Sequence, residues 1–379
     1  MAAVPTETVL RYVEFYSGVG GWTMALEDAT SKIPETTFRL HRLAALDHSD
    51  LCTKAFEHNF GSQEKSFDIE RLTLPQVEAW NATIWAMSPP CQPHTRQHSN
   101  QAKDLHDPRS SSFLHLVSLI KEMKQDCLPS LIFLENVVGF ESSSSFELWI
   151  ETLERRGYNL CSFHLNPTQV GLPNDRPRYF GLAVLKHSSG DGKSVDDALI
   201  SYWNSEPRTI RKSLPELGVP TLEDCTEKDL PCIENFLDKI QDHKGLAVPL
   251  KVLGGSAAWC FDVVTPASRR SACFTQSYGR YIRGTGSILY QDATKEIQLL
   301  SPEDRSFDKD WAKDLDLSKF RYFSGLELAR LMGFSKEFSF PPNYTYKQQW
   351  KLIGNSLNVQ VASKVVELGI HLMLTLKKS

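Results

Sequence analysis

The sequence predicts an α/β protein built around a parallel sheet, and three observations carry that prediction. Five short apolar runs rich in β-branched or aromatic residues recur through the first half: "VLRYVEFYSG", "LHRLAALD", "ATIWAMSPP", "SLIFLENV" and "RYFGLAVLK". Helix-like patterns such as "GWTMALEDA", "LCTKAFEHN" and "SFLHLVSLIKEM" fall between them, a rhythm that puts helices on both faces of a parallel sheet. The chemically unusual residues, Ser17 to Gly21, Asp47, Ser88 to Cys91, Glu135 and Asn136, sit at the carboxyl ends of those runs, where such sheets hold ligands.

The rhythm breaks near Lys186. Residues 187–320 are richer in Ser, Pro and charge, as in "KHSSGDGKSVDD" and "SPEDRSFDKDWAKDLD", and predict a smaller inserted domain after a first domain of residues 1–186. Regular patterns return in "SGLELARLMGF" and "NSLNVQVASKVVELGIHLML", so residues 321–379 are expected to complete the first core. At 379 residues, 41% hydrophobic and 23% charged, the chain can bury a large core. No signal-like leader and no apolar run long enough to span a bilayer is evident, so an intracellular protein without membrane contact is expected. Eight cysteines scattered without CxxC pairs argue against a disulfide framework or a zinc site, and are expected to be free and mostly buried. The net charge of -4 leaves no global basic field, so any polyanion must meet a local patch.

The first strand leads into "FYSGVGG", Phe15 to Gly21, where glycines let a ligand approach the backbone at a helix N-terminus. A GxGG turn is too short for a dinucleotide fingerprint and, alone, is only a tight turn. Asp47 ends the second strand, where a carboxylate can accept from ribose hydroxyls, and His48 follows it. Asp68 and Ile69 are expected to end a third short strand beside an adenine edge. A loop, a ribose acid and a further acid describe an adenosyl ligand without pyrophosphate, which favours S-adenosylmethionine over NAD. Each acid singly could be a helix N-cap.

Cys91 is expected at the exit of the fourth strand, after Ser88, in a loop stiffened by Pro89, Pro90 and Pro93. Most cysteines are inert, since reactivity needs a stabilised thiolate and access, but rigid mounting at the ligand edge favours a nucleophile. Glu135 ends the apolar strand "LIFL", where desolvation raises its pKa until it can donate a proton near neutrality; otherwise it caps the next helix. A thiolate, an acid and a methyl donor together can methylate C5 of cytosine. Thiolate addition at C6 with protonation of N3 makes C5 nucleophilic, and loss of the C5 proton with expulsion of the thiolate restores the ring. The base must leave its stack to be reached.

These residues identify the resemblance. The chain resembles the cytosine-5 methyltransferases of the DNA-methyltransferase superfamily along nearly its whole length, in the order "FYSGVGG", Asp47, "PPCQP" with Cys91, "ENV" with Glu135, "RPRYFG" with Arg176 and Arg178, and "GNSLNV" from Gly354. The resemblance implies a Rossmann-like class I fold dependent on S-adenosylmethionine, with an inserted target-recognition domain. It implies that Arg176 and Arg178 steady the extruded base, and that Asn355 and Ser356 finish the cofactor pocket formed by Phe15, Ser17, Gly18, Val19, Gly20, Gly21, Asp47, His48, Asp68, Ile69 and Ser88.

"CFTQSYGRYIRGTGSILY", Cys273 to Tyr290, is similar to a segment of the subfamily that methylates cytosine 38 in the anticodon loop of aspartate tRNA. From Pro266 to Gln291 it carries Arg269, Arg270, Arg280 and Arg283 with Tyr278 and Tyr281 and no acid, a composition suited to a single-stranded loop, although a glycine-rich hairpin with a solvated basic face has the same composition. Arg96 joins these as a candidate RNA contact. Alternatives are a DNA cytosine-5 methyltransferase and a catalytically silent nucleic-acid-binding homologue. The chain is expected to be a monomer in the cytoplasm or nucleus, with DNA at most a weak partner. His94 stands where the subfamily places Phe, and His98 and His106 follow with no acid or cysteine spacing for a metal.

Overall fold

The structure, a computed structural model, describes residues 7–33, 37–61, 66–90, 107–186, 209–239, 245–292 and 311–378. The large sheet holds β1 (Thr8–Phe15), β2 (Phe38–Leu46), β3 (Ile84–Met87), β4 (Leu131–Val137), β5 (Tyr158–Leu165), β6 (Arg178–Leu185) and β7 (Ile210–Arg211), in the order β2-β1-β3-β4-β6-β5-β7. The first four strands are parallel, as expected. β6 runs antiparallel to both β4 and β5, which corrects the all-parallel expectation. The physical reason lies in the link from β5 to β6, a 3-10 turn at Pro167–Val170 and a short loop with no helix to carry the chain back along the sheet. β5 went unread because "YNLCSFHL" is too polar to stand out as an apolar run.

Along β1, β3 and β4 alternate residues enter two separate clusters, as the period of two requires. Leu10, Tyr12, Ile84, Ala86, Leu131 and Phe133 face one layer; Val13, Phe15, Trp85, Met87, Ile132 and Leu134 face the other. The second layer is built by α3 (Leu74–Trp80), α4 (Ser111–Glu122) and α5 (Ser144–Arg155). The first is built by α1 (Gly21–Lys32) together with elements from the far end of the chain, while α2 (Asp50–Phe60) covers the glycine turn.

A second sheet, β8 (Asp262–Val264), β9 (Ser287–Tyr290) and β10 (Phe320–Arg321), follows the four-residue helix α6 (Leu250–Leu253) and closes over Val248, Leu253, Phe261, Ile288, Tyr290 and Phe320. Then come α7 (Gly325–Leu331), α8 (Tyr346–Asn355) and α9 (Val359–Lys378). Val361, Val365, Leu368 and Leu372 of α9 lie in the same cluster as Trp22, Ala25 and Leu26 of α1, so the tail fills the first core. β7 pairs with β5, and Leu214, Val264 and Phe274 also join that cluster, so the inserted segment shares a core with the larger sheet.

Two smaller expectations are corrected. Asp68 ends no strand among the described residues; its side chain accepts from the Glu70 N–H and starts a 3-10 turn at Ile69–Arg71, so Cys91 follows the third strand. Of the seven described cysteines only Cys161 is buried by surface area, because most lie on connections between elements. Among the described residues no helix is long and apolar enough to cross a membrane, and no cluster could hold a metal.

Candidate active site

The turn after β1 is built on left-handed backbone: Tyr16 at φ 56°, Gly18 at 53° and Gly20 at 86°. Glycine is required at the last by crowding as well, since a Cβ there would lie 2.1 Å from the Phe60 ring. The Gly18 N–H donates to Asp47 Oδ2 at 3.0 Å and the Ser49 N–H to Asp47 Oδ1 at 2.9 Å, so this acid ties the turn to the end of β2. Each oxygen keeps a further lone pair for a hydroxyl. The Phe67 N–H donates to Asp47 O, which brings exposed Asp68 to the same edge as exposed His48. Gly18 is part-exposed and a Cβ on it would meet nothing nearer than 3.9 Å, so the turn presents open backbone to a ligand. Phe15 and Val19 are covered, the first by the Trp80 and Trp85 rings; they and buried Ile69 shape the turn from beneath.

Ser356 reaches the turn from the far end of the chain, its Oγ 3.2 Å from where a Gly21 side chain would begin. Asn355 is exposed and donates to Gln276 Oε1 at 3.4 Å. Ser88, after β3, accepts from Trp22 Nε1 at 3.0 Å, so the serine before the cysteine loop is tied to the helix behind the glycine turn. Asn136 Nδ2 donates to Pro89 O, holding the start of the cysteine loop against β4. Cys91, Arg96, His94, His98 and His106 lie outside the described residues.

Glu135 is 7% exposed, and burial raises its pKa above the ordinary carboxylate value; Arg178, Arg176 and Ser88 pull it back down. Arg178 Nε stands 3.4 Å from Glu135 Oε1, so the acid at this edge has a guanidinium beside it. Arg176 behaves differently from the expectation that it steadies a base. It is 3% exposed, and its guanidinium donates to Phe274 O at 2.7 Å, Ser356 O at 2.6 Å and Gly354 O at 3.1 Å. Through its two terminal nitrogens it therefore ties two distant segments, at Phe274 and at Gly354 to Ser356, behind the site, since buried donors seek carbonyls.

Cys273 was not anticipated. Its sulfur accepts from Arg176 Nη1 at 3.4 Å and Arg178 Nη2 at 3.7 Å. Burial pushes the thiol up, yet the two guanidinium groups outweigh it and leave the pKa below the ordinary value. Its only signal in the sequence was its place at the head of "CFTQSYGR".

Of the expected RNA contacts, Arg269, Arg270, Arg280, Tyr281 and Arg283 are exposed. The Arg280 guanidinium stacks 5.2 Å over the Tyr281 ring, which is 57% exposed. Tyr278 is corrected: at 3% exposure it donates to Ser287 O, accepts from the Phe323 N–H and packs edge-on against Phe274, Tyr322 and Trp350, so it anchors the segment from inside. Arg270 is partly neutralised by Glu227 at 3.7 Å and Asp262 at 3.8 Å, acids that lie outside the 266–291 window. Arg269 donates to Leu230 O. A Cβ on Gly354 would lie within 2.4 Å of Thr275 and Gln276 backbone, so the arginine-bearing segment rests directly on the turn leading to Ser356.

Fold and site together define an α/β enzyme with a nucleotide-type cofactor edge and a buried acid–guanidinium pair beside it. The chain belongs to the C-5 cytosine-specific DNA methylase family, whose profile matches residues 10–368. It is 35% identical over 397 residues to the mouse protein named tRNA (cytosine(38)-C(5))-methyltransferase, covering 94% of this chain and 92% of the mouse one. It is 33% identical to a Dictyostelium discoideum protein named DNA (cytosine-5)-methyltransferase, covering 94% of this chain and 93% of that one. Among solved structures it is similar to the Schizosaccharomyces pombe Dnmt2 methyltransferase, with a TM-score of 0.73 and 30% identity over 96% of this chain and 99% of that chain.

Proposed function

We propose that this enzyme methylates C5 of cytosine in tRNA, at cytosine 38 in the anticodon loop of aspartate tRNA, with S-adenosylmethionine as donor. The observation that carries the reading is buried Glu135 at the end of β4, paired with Arg178, on the sheet edge where Ser88 is tied to the helix that follows the open glycine turn. The residues fit the donor: Gly18 offers open backbone, Asp47 retains acceptor capacity, and His48, Asp68 and Ser356 border the turn. When bound, S-adenosylmethionine supplies an electrophilic methyl group. Cys91 adds to C6 of the extruded cytosine while Glu135 delivers a proton to N3, and Arg178 holds the acid in place. C5, made nucleophilic by that addition, would take the methyl group; loss of the C5 proton to solvent, departure of the Cys91 thiolate and return of the N3 proton to Glu135 then restore the ring.

Exposed Arg280, Tyr281 and Arg283 on a compact segment suit an unstacked loop and offer little surface for wrapping a duplex. The mouse relative's name agrees with this choice. The Dictyostelium relative's name favours DNA and makes duplex DNA the second reading. We expect the enzyme to act as a monomer, in the cytoplasm or nucleus. Transfer of labelled methyl groups to unmodified tRNA and to duplex DNA at equal concentration separates the two substrates. Preferential labelling of tRNA is expected, and preferential labelling of DNA would overturn the choice.

A further inference from the structure

The Arg178 guanidinium is shared. Its Nε faces Glu135 at 3.4 Å, its Nη1 donates to Pro177 O at 2.8 Å, and its Nη2 faces the Cys273 sulfur at 3.7 Å. Arg176, fixed by the carbonyls of Phe274 and Ser356, donates to the same sulfur at 3.4 Å. Cys273 thus lies between the two arginines in a chain of four groups, Glu135, Arg178, Cys273 and Arg176, that starts at the candidate acid. The charged groups facing the sulfur are Arg176 and Arg178, with Glu135 of β4 behind Arg178.

We propose that Cys273 is a positioning residue for the methyl transfer: as a thiolate it draws Arg178 away from full pairing with Glu135, so that Glu135 keeps the proton destined for cytosine N3. A fully committed guanidinium would stabilise the Glu135 carboxylate and strip the acid of its proton. A second anion on another nitrogen of the same guanidinium divides that attraction without removing the arginine that orients the acid. The thiol proton passes to solvent, and no covalent bond to Cys273 forms. Two guanidinium groups on one partly buried sulfur favour the charged form that this role requires.

The proposal rests on the cytosine-5 methylation reading, and two measurements on the full chain keep the two apart. The first is the pH dependence of Cys273 alkylation by iodoacetamide, followed on its own peptide by mass spectrometry. A midpoint below that of a free cysteine, about 8.5, is expected; a midpoint at or above it overturns the proposal, whatever the enzyme methylates. The second is the pH profile of kcat on unmodified tRNA for wild type, Cys273→Ala, Cys273→Ser and Cys273→Asp. The alkaline limb, where Glu135 loses its proton, moves to lower pH in the Ala and Ser variants, with kcat beyond it falling roughly tenfold per unit of movement and KM for tRNA unchanged. Asp restores the limb through its fixed charge. A limb that stays in place, a uniform loss at every pH, or a limb displaced equally in Asp would each show that Cys273 only packs. Wild-type protein inactive on tRNA would sink the methylation reading while leaving the alkylation result standing.

Discussion

At the scale of single residues the proposed mechanism separates groups that would meet the substrate from groups that hold them. Glu135 belongs to the first set, and Glu135→Gln keeps the shape while removing the proton. Its kcat is expected to fall at least about a hundredfold with the unfolding midpoint nearly unchanged; a loss of stability equal to the loss of rate would make the acid structural. Cys91→Ala is expected to abolish methylation altogether, and retained turnover would contradict covalent addition at C6. Arg176 belongs to the second set. Arg176→Lys leaves one compact ammonium where a planar fork spans Phe274 O and Ser356 O, and should lower unfolding stability in urea by roughly 2–3 kcal/mol. Glu135 and Ser356 were legible because their position at a strand end or in "GNSLNV" implies where they sit. Arg176 was not, because its role is written in carbonyls 98 and 180 residues away. Tyr278 misled for the same reason: an aromatic between arginines has an RNA-like composition until Trp350 and Tyr322 are seen around it.

At the scale of elements, the start of α1 shows how the site edge is held. Glu14, on β1 and 1% exposed, accepts from the N–H groups of Trp22 and Thr23 at 3.1 Å each and from the Thr23 hydroxyl at 2.6 Å. It thereby satisfies donors that every helix start leaves over. Burial raises its pKa to about 7, with Thr23 and the two N–H groups opposing the rise. A folded-state pKa above the unfolded one gives stability that is full at low pH and is lost as pH climbs through about 7. The melting temperature should therefore fall between about pH 5 and pH 8, and Glu14→Gln, which cannot titrate, should lessen that fall. An unchanged pH slope in the variant would assign the dependence to other groups. The first four strands were readable as dense apolar runs covered on both faces. β5 was not, since it is half-polar, and β6, readable as the run "RYFGLAVLK", carried no signal of its antiparallel direction, because a short return has no periodicity that sets one.

At the scale of the whole molecule, the chain closes on itself around the site. β1, β3 and β4 supply the glycine turn, Ser88 and Glu135; the end of α8 and the loop before α9 supply Ser356; and the segment leading into β9 rests on both through Gly354. Domain order along the sequence announced that the tail would return, because its apolar face had no other partner. It could not announce the backbone-to-backbone seat at Gly354, where any side chain would push the arginine-bearing segment off the turn that carries Ser356. Gly354→Ala should accordingly raise KM for both tRNA and S-adenosylmethionine, and a change in only one would uncouple the two surfaces. The central claim is that these parts converge to methylate one cytosine of a tRNA anticodon loop. Bisulfite sequencing of total tRNA after incubation with the purified enzyme and S-adenosylmethionine tests it most directly. Protection confined to cytosine 38 of aspartate tRNA, absent with Cys91→Ala, is the expected result. No protected tRNA cytosine, or protection that persists in Cys91→Ala, would contradict it.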